Sequence, residues 1–132
     1  MIKNERQYRI TRTQADKFAG AIAALSSQER TDDRIHPLIQ QSQVEAMRGQ
    51  LSDLQEQLAE YDALKTGDRT LPSLSSFLDL PNMLIQRRIA AGLGHKQLAE
   101  RLGLKEQQIQ HYEATDYAGA SFSRLKEIIH AL

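Results

Sequence analysis

Leu93 to Glu113 read LGHKQLAERLGLKEQQIQHYE, and this pattern predicts two short helices joined at Gly103. Apolar residues recur at helical spacing up to that glycine, where the run is interrupted. Glycine adopts positive φ at little cost, so it can end one helix and allow the next to begin. The small side chain of Ala99 would let the second helix cross the first closely, and Ile109 would fill the angle between them. We therefore expect a helix-turn-helix motif here.

The same stretch resembles the Xre-type, lambda-repressor-like and Cro-like family of DNA-binding domains. The resemblance covers about residues 81–132 and implies a five-helix domain whose third helix, roughly residues 105–114, enters the DNA major groove. At the start of the second helix, Gly94 and His95 stand where the family usually has Thr and Gln, which predicts a weaker helix cap. The matching positions are Gln97-Leu98-Ala99, Leu102-Gly103, Ile109, Tyr112-Glu113 and the SRLKEI run over residues 123–128.

The polar face of that third helix offers candidate contacts to bases. A glutamine amide presents a donor and an acceptor side by side, which matches the N7 and N6 edge of adenine, and a glutamate can accept from cytosine N4. The same side chains would also suit a solvated face, and Glu106 in the first turn would favour the helix dipole with or without DNA. By resemblance, the residue that opens the second helix binds a backbone phosphate. The candidate DNA-binding residues are Arg87, Arg88, His95, Lys96, Lys105, Glu106, Gln107, Gln108, Gln110 and His111.

The beginning of the chain is basic. Residues 1–10 predict either a frayed tail or an extended arm that reaches a DNA backbone or minor groove. Thr11 and Gln14 then form a capping-box pattern, which predicts a helix over about residues 12–25, followed by a polar loop over residues 26–34.

A long helix is predicted from Pro37 to about Lys65, because proline suits a first helical turn and Gly67 suits a helix end. Its apolar residues alternate in steps of three and four, as in a coiled-coil seam. We expect it to pack antiparallel on the first helix as a hairpin. Because it is longer than that helix by about 20 Å, we expect the unused seam to dimerise, the alternative being that the stripe packs on the C-terminal domain of the same chain. The predicted dimerisation residues are Val44, Met47, Leu51, Leu54, Leu58 and Tyr61.

Three regions follow from these patterns. Residues 1–66 are expected to form the N-terminal hairpin and oligomerisation region, residues 67–80 a linker, and residues 81–132 the DNA-binding domain. The linker mixes Gly, Pro and Ser with apolar residues, and we expect Phe77, Leu78 and Leu80 to dock on one of the domains.

The last region is predicted to hold four helices at about residues 82–91, 95–102, 105–114 and 121–132, with Ser121 as the cap of the last one. Its expected core consists of Met83, Leu84, Ile89, Leu98, Leu102, Ile109, Leu125, Ile128, Ile129 and Leu132.

Charge is balanced over the whole chain but not along it. There are 17 basic and 17 acidic residues. Residues 1–12 hold four Lys or Arg against one acid, residues 13–81 hold six against 11, and residues 82–132 hold seven against five. The acidic excess therefore lies in the middle, and the predicted DNA-binding domain keeps a basic balance although the net charge is zero.

Several classes of protein are disfavoured. The chain has no cysteine, which removes disulfides and thiolate chemistry, and its four histidines are scattered without metal spacing. There is no Gly-rich phosphate loop and no nucleophile elbow, so we expect no enzymatic activity, no cofactor and no metal site. No apolar leader and no run of about 18 apolar residues occurs. We expect a cytoplasmic protein without a membrane partner.

These observations predict an all-α, dimeric, sequence-specific regulator of transcription, a repressor that binds double-stranded DNA. The half-sites would lie about 34 Å apart, or a multiple of that distance. The alternative is an antitoxin-type interaction protein whose N-terminal helices bind a toxin-like partner protein and whose DNA binding serves autoregulation. The acidic balance of residues 13–81 would suit a basic partner.

Overall fold

The computed structural model of the protein describes residues 1–28, 37–68, 71 and 73–132, and over these residues it is helical with no strand. This confirms the all-α prediction. The described chain divides into two compact units, Met1–Glu60 and Tyr61–Leu132. Its α-helices are α1 (Glu5–Gln28), α2 (Pro37–Thr66), α3 (Leu80–Ala90), α4 (His95–Leu102), α5 (Glu106–Ala114) and α6 (Phe122–Ala131), with a short 3-10 turn at Phe77–Asp79.

The prediction of a tail or extended arm over residues 1–10 is wrong, because α1 begins at Glu5. The helix starts early because Asn4 caps it: the Asn4 Oδ1 accepts a hydrogen bond from the Gln7 N–H at 2.9 Å. The Gln7 side chain in turn accepts from the Lys3 N–H at 2.8 Å. The first bond satisfies one of the N–H groups that a helix start leaves without partners, which was the role expected of Thr11 and its neighbour three residues on. The second bond ties Lys3, the residue before the cap, to the first turn.

The predicted long helix is confirmed as α2, and Gly67 ends it with φ of +75°. The Asp68 N–H donates to the Ala63 carbonyl and the Gly67 N–H donates to the Leu64 carbonyl. This pair of bonds is a Schellman motif, which needs positive φ at the residue after the helix. Of the loop predicted over residues 26–34, Ser26 and Ser27 belong to α1 and residues 29–36 lie outside the described residues.

Glycines also end the helices that surround the candidate DNA-binding region. Gly92 ends α3 and Gly103 ends α4, with φ of +70° and +66°. In each case the next residue donates its N–H to a carbonyl five residues back, Leu93 to Arg88 at 3.0 Å and Leu104 to Ala99 at 2.9 Å. Both helix ends are Schellman motifs, and for Gly103 this agrees with the predicted helix end.

A small core holds α4 and α5 together. Leu98 and Ile109 are fully buried and Ala99 nearly so, and half-buried apolar residues from the same helices and the end of α6 pack against them. The prediction that Ile129 belongs to the core is wrong, because this residue is 45% exposed. Its neighbour Ile128 is fully buried, and adjacent residues on a helix point about 100° apart, so both cannot face the same core.

Two further expectations need correction. Within residues 80–132 there are four α-helices, α3 to α6, whereas the family resemblance implied five. In the linker, Leu80 is buried but Phe77 and Leu78 are 67% and 86% exposed, so these two residues do not dock as expected. No helix in the described part of the chain is long and apolar enough to cross a membrane.

Replacing Gly103 by Ala should lower the free energy of unfolding by about 1 kcal/mol, because an L-residue is strained at positive φ. An added Cβ would meet no atom within 4 Å, so the backbone carries the whole effect. Gly119→Ala is the matched control, since this turn glycine also faces open space but lies outside the positive-φ region. Urea denaturation measures both, and equal effects of the two substitutions would contradict the assignment.

Candidate nucleic-acid interface

The α5 helix turns one face inward and the other toward solvent. Ile109 and Glu113, four residues apart, are buried, and Tyr112 is half-buried. The side chains of the opposite face are all exposed, and they are the polar residues that the sequence analysis selected. They are Lys105, Glu106, Gln107, Gln108, Gln110 and His111.

The two helices start in the same way. The Gln97 Oε1 accepts from the Gly94 N–H at 2.9 Å at the start of α4, and the Gln108 Oε1 accepts from the Lys105 N–H at 3.1 Å at the start of α5. Neither Gly94 nor Lys105 adds a side-chain cap of its own. Each helix therefore has half of a capping box, supplied by a glutamine in its first turn.

The exposed amides on α5 differ in how they are used. The Gln108 amide oxygen is engaged at the helix start, and the Gln110 amide donates to Glu106 at 3.2 Å. Among the described residues, no side chain or backbone group binds the Gln107 amide. Gln107 thus presents its donor and its acceptor to solvent from the first turn of the helix.

Behind the exposed face, the Glu113 carboxylate joins three helices. Arg88, in the last turn of α3, donates to it through Nε at 2.5 Å and through Nη2 at 2.8 Å. The remaining Arg88 nitrogen donates to the Leu93 carbonyl at 2.8 Å, across the turn that leads into α4. His95, the first residue of α4, places its Nε2 2.8 Å from Glu113 Oε2, the oxygen that also accepts from Arg88 Nη2.

The protein environment sets the ionisation of this carboxylate. Burial by itself raises the pKa of Glu113, but hydrogen bonds and charge from His95 and Arg88 outweigh it, and the pKa lies below its ordinary value of 4.5. Glu113 is therefore ionised at neutral pH although its side chain is only 3% exposed. A buried carboxylate with a bidentate guanidinium partner is a strong and geometrically specific link.

The connection after α5 also takes an unusual backbone path. Asp116 and Tyr117 both have positive φ, 50° and 59°, although neither is a glycine. The buried Tyr117 ring stacks on Tyr112, with centroids 6.0 Å apart and planes 10° from parallel. Burial, with the nearby Glu113 charge, raises the pKa of the Tyr117 hydroxyl, which stays neutral. Packing of Tyr117 offsets the strain that two left-handed residues store in this turn.

The structure separates the predicted DNA-binding residues into two groups. Arg88 and His95 are 2% and 11% exposed and both bind Glu113, so their side chains belong to the frame that holds the helices. The expected role of the His95 side chain at a phosphate does not agree with this placement. The other eight predicted residues are exposed: Arg87, Lys96, Lys105, Glu106, Gln107, Gln108, Gln110 and His111.

Sequence reasoning placed Glu113 in the family pattern but gave it no role in the site. A usable signal was present, since Glu113 follows Ile109 by four residues and therefore lies on the same buried face of a helix. A buried carboxylate on such a face requires a cationic partner, and Arg88, in the last turn of α3, is a nearby candidate.

We compared the chain with known protein families, curated proteins and solved structures. No family model, no curated protein and no solved structure matches the chain. The resemblance to Xre-type domains therefore stays a prediction from the residues that carry it.

Glu113→Gln should lower the free energy of unfolding by about 3–5 kcal/mol, because it leaves the Arg88 guanidinium buried without its counter-charge. Glu127→Gln is the matched control: Glu127 pairs with Arg124 at 2.5 Å, but its side chain is 52% exposed. That substitution should cost less than about 1 kcal/mol. Chemical denaturation at neutral pH compares the two, and a similar small effect at both positions would contradict the role assigned to Glu113.

The stabilising contribution of Glu113 should also depend on pH. Since its pKa in the folded chain is lower than its ordinary value of 4.5, the contribution is complete above that value and is lost as the pH falls through the lowered pKa. The difference in unfolding free energy between the wild type and Glu113→Gln should therefore shrink below about pH 4.5. Denaturation curves from pH 5 down to about pH 3 measure it, and a constant difference over that range would refute the assignment.

Proposed function

We propose that the protein is a sequence-specific regulator that binds double-stranded DNA as a dimer and reads base edges in the major groove with α5. One observation carries the proposal. The α5 helix presents a continuous polar face to solvent while Ile109 and Glu113 fix its other face to the neighbouring helices. A helix held rigidly with its polar side outward is the arrangement that major-groove recognition uses.

The arrangement of α4 and α5 supports a helix-turn-helix interpretation. The helices are short and are joined by a turn that begins at Gly103, and they share the core formed by Leu98, Ala99 and Ile109. The α5 helix has nine residues, which gives a length of about 13 Å. An α-helix with its side chains is about 10–12 Å across and the major groove is about 12 Å wide, so a helix of this kind can enter it.

The exposed side chains suggest how the contacts divide. Lys96 in the first turn of α4, Arg87 near the end of α3 and Lys105 at the start of α5 are exposed cations suited to phosphates. Gln107, whose amide is unengaged, is the first candidate for a base contact, and an adenine offers the matching donor and acceptor. Arg88 and His95 are left out of this set and instead fix the angle from which α5 is presented.

The N-terminal unit is proposed to form a helical hairpin. One open groove, which we call the α1/α2 groove, is lined from α1 by Gln14, Lys17, Phe18 and Ala21 and from α2 by Met47, Gln50, Asp53 and Leu54. A second cavity is lined by residues 1–11 and by Gln57. Higher numbers on α2 thus accompany lower numbers on α1, as an antiparallel pair requires.

Dimerisation is part of the proposal because one domain of this size makes few contacts. Each good bidentate base contact contributes only about 1–3 kcal/mol of discrimination. Two linked domains bind with an effective concentration in the millimolar range, which raises affinity without new contacts. A two-fold symmetric protein then requires a roughly palindromic site.

A second candidate function is binding of a partner protein, with DNA binding used for autoregulation. The observation in its favour is the exposure of Phe77 and Leu78, which line a cavity of about 350 Å³ in the C-terminal unit. Exposed apolar side chains beside a cavity are typical of protein contact sites.

The DNA proposal is tested with duplexes selected from a random library and fluorescence anisotropy. The wild type should enrich a roughly palindromic sequence. Gln107→Ala should weaken binding to that sequence by about 5- to 100-fold while leaving weak non-specific binding unchanged, since it removes a base contact and no phosphate contact. Gln55→Ala, an exposed helical glutamine of the N-terminal unit, is the matched control and should bind like the wild type.

Lys96→Gln tests a phosphate contact, in contrast to the base contact that Gln107→Ala tests. It should weaken binding to all sequences alike and reduce the dependence of affinity on salt, because it removes a phosphate contact. If no sequence is enriched and Gln107→Ala binds like the wild type, α5 does not read DNA.

A further inference from the structure

The α1/α2 groove is open, and most of its lining surface is apolar. It has a volume of about 540 Å³, and its lining includes Phe18 and Ala21 from α1 and Met47 and Leu54 from α2. All four side chains are half-buried, so the single chain covers them only in part. The groove lies wholly within the N-terminal unit, Met1–Glu60.

Two opposite charges line the same groove. Lys17 stands on the α1 wall and Asp53 stands on the α2 wall, and both side chains are exposed. Within the described residues, neither side chain has an ion-pair partner, and they do not pair with each other. The other polar lining residues, Gln14 and Gln50, are neutral, so the described lining carries no net charge.

We infer that the face of the N-terminal unit that holds the α1/α2 groove is the surface on which a second copy of this chain docks, with Lys17 of each copy facing Asp53 of the other. A two-fold interface brings the same patch of both copies together, so the patch must be complementary to itself. One cation on one wall and one anion on the other meet that requirement, and they favour neither an acidic nor a basic foreign partner. The inference rests on the dimer in the proposed function and specifies its surface.

The burial of the predicted seam residues on α2 agrees with an interface at the groove and not with an interface along the whole seam. Val44 and Tyr61 are each 6% exposed in the single chain, so they have almost no area left to bury against a partner. Met47 and Leu54 from the same seam remain accessible in the groove. Phe18 and Ala21, which lie on α1, join them there and were not among the predicted dimerisation residues.

A charge-swap experiment on the full chain tests the inference without DNA. Lys17→Glu would place two carboxylates together at each of the two symmetric contacts, and Asp53→Lys would place two ammonium groups together. Each single substitution should raise the dimer dissociation constant by about tenfold or more at an ionic strength of about 0.1 M. The double variant Lys17→Glu with Asp53→Lys restores opposite charges across the interface and should return to the wild-type dissociation constant. Sedimentation equilibrium over a range of concentrations measures all four proteins.

Arg48→Glu and Glu56→Lys are matched controls, because both residues are exposed on α2 and neither lines the groove. They change the net charge as the test variants do and should leave the dissociation constant within about twofold of the wild type. Circular dichroism shows whether each variant keeps its helices.

Three outcomes would overturn the inference: a wild-type mass that is monomeric at every concentration, single variants that dimerise like the wild type, or a double variant that stays as weak as the singles. The first outcome would also remove the dimer from the proposed function, whereas the other two would reject only the groove as its surface. Reading of base edges by α5 is measured separately, by binding of one domain to a half-site. Conversely, a rescued dimer that enriches no DNA sequence would support the groove and reject the DNA proposal.

Discussion

The buried carboxylate of Glu113 is the interaction on which the geometry of the C-terminal unit depends. It accepts from Arg88 at the end of α3 and contacts His95 at the start of α4, and it belongs to α5 itself. Three consecutive helices thus meet at one charged group. Apolar contacts alone would permit these short helices to slide, whereas charge-assisted hydrogen bonds of fixed direction hold their relative orientation.

This anchoring determines what α5 can offer to a ligand. A helix of nine residues has little stability of its own, so its orientation comes from its contacts. Because Glu113 and Ile109 occupy the inward face, the first turn and the opposite face are left for polar side chains. Under the proposed function, side chains that contact base edges need positions fixed within a fraction of an ångström, and the buried ion pair behind the polar face of α5 supplies that rigidity.

The parts of the fold that rest on local rules were predictable. Gly67 and Gly103 end helices as predicted, because tolerance of positive φ is a property of glycine itself. The cap at Asn4 was missed in favour of an equally good local pattern at Thr11, and local patterns cannot rank two competing starts.

The candidate site was predictable only for its exposed face. Helical spacing placed the glutamines of α5 outward, but the resemblance placed His95 at a phosphate, and Arg87 and Arg88 were both expected to add charge there. Which of these cations is exposed depends on a carboxylate that is 25 residues from Arg88 in the chain. Periodicity carries no information about such a distant pairing, and the resemblance to a family transfers roles by position without showing which side chains are buried.

The zero net charge of the chain bears on how such a protein would bind DNA. A strongly basic domain gains non-specific affinity by releasing counterions at many phosphates. Here the C-terminal segment of residues 82–132 has only seven basic residues against five acidic ones. One of the seven, Arg88, is buried and pairs with Glu113. Few phosphate contacts mean weak binding by one domain and a small non-specific background. Under the proposed function, useful affinity would then come from two domains binding together. Base contacts made by α5 would supply a larger share of the binding free energy than they do in a strongly basic domain.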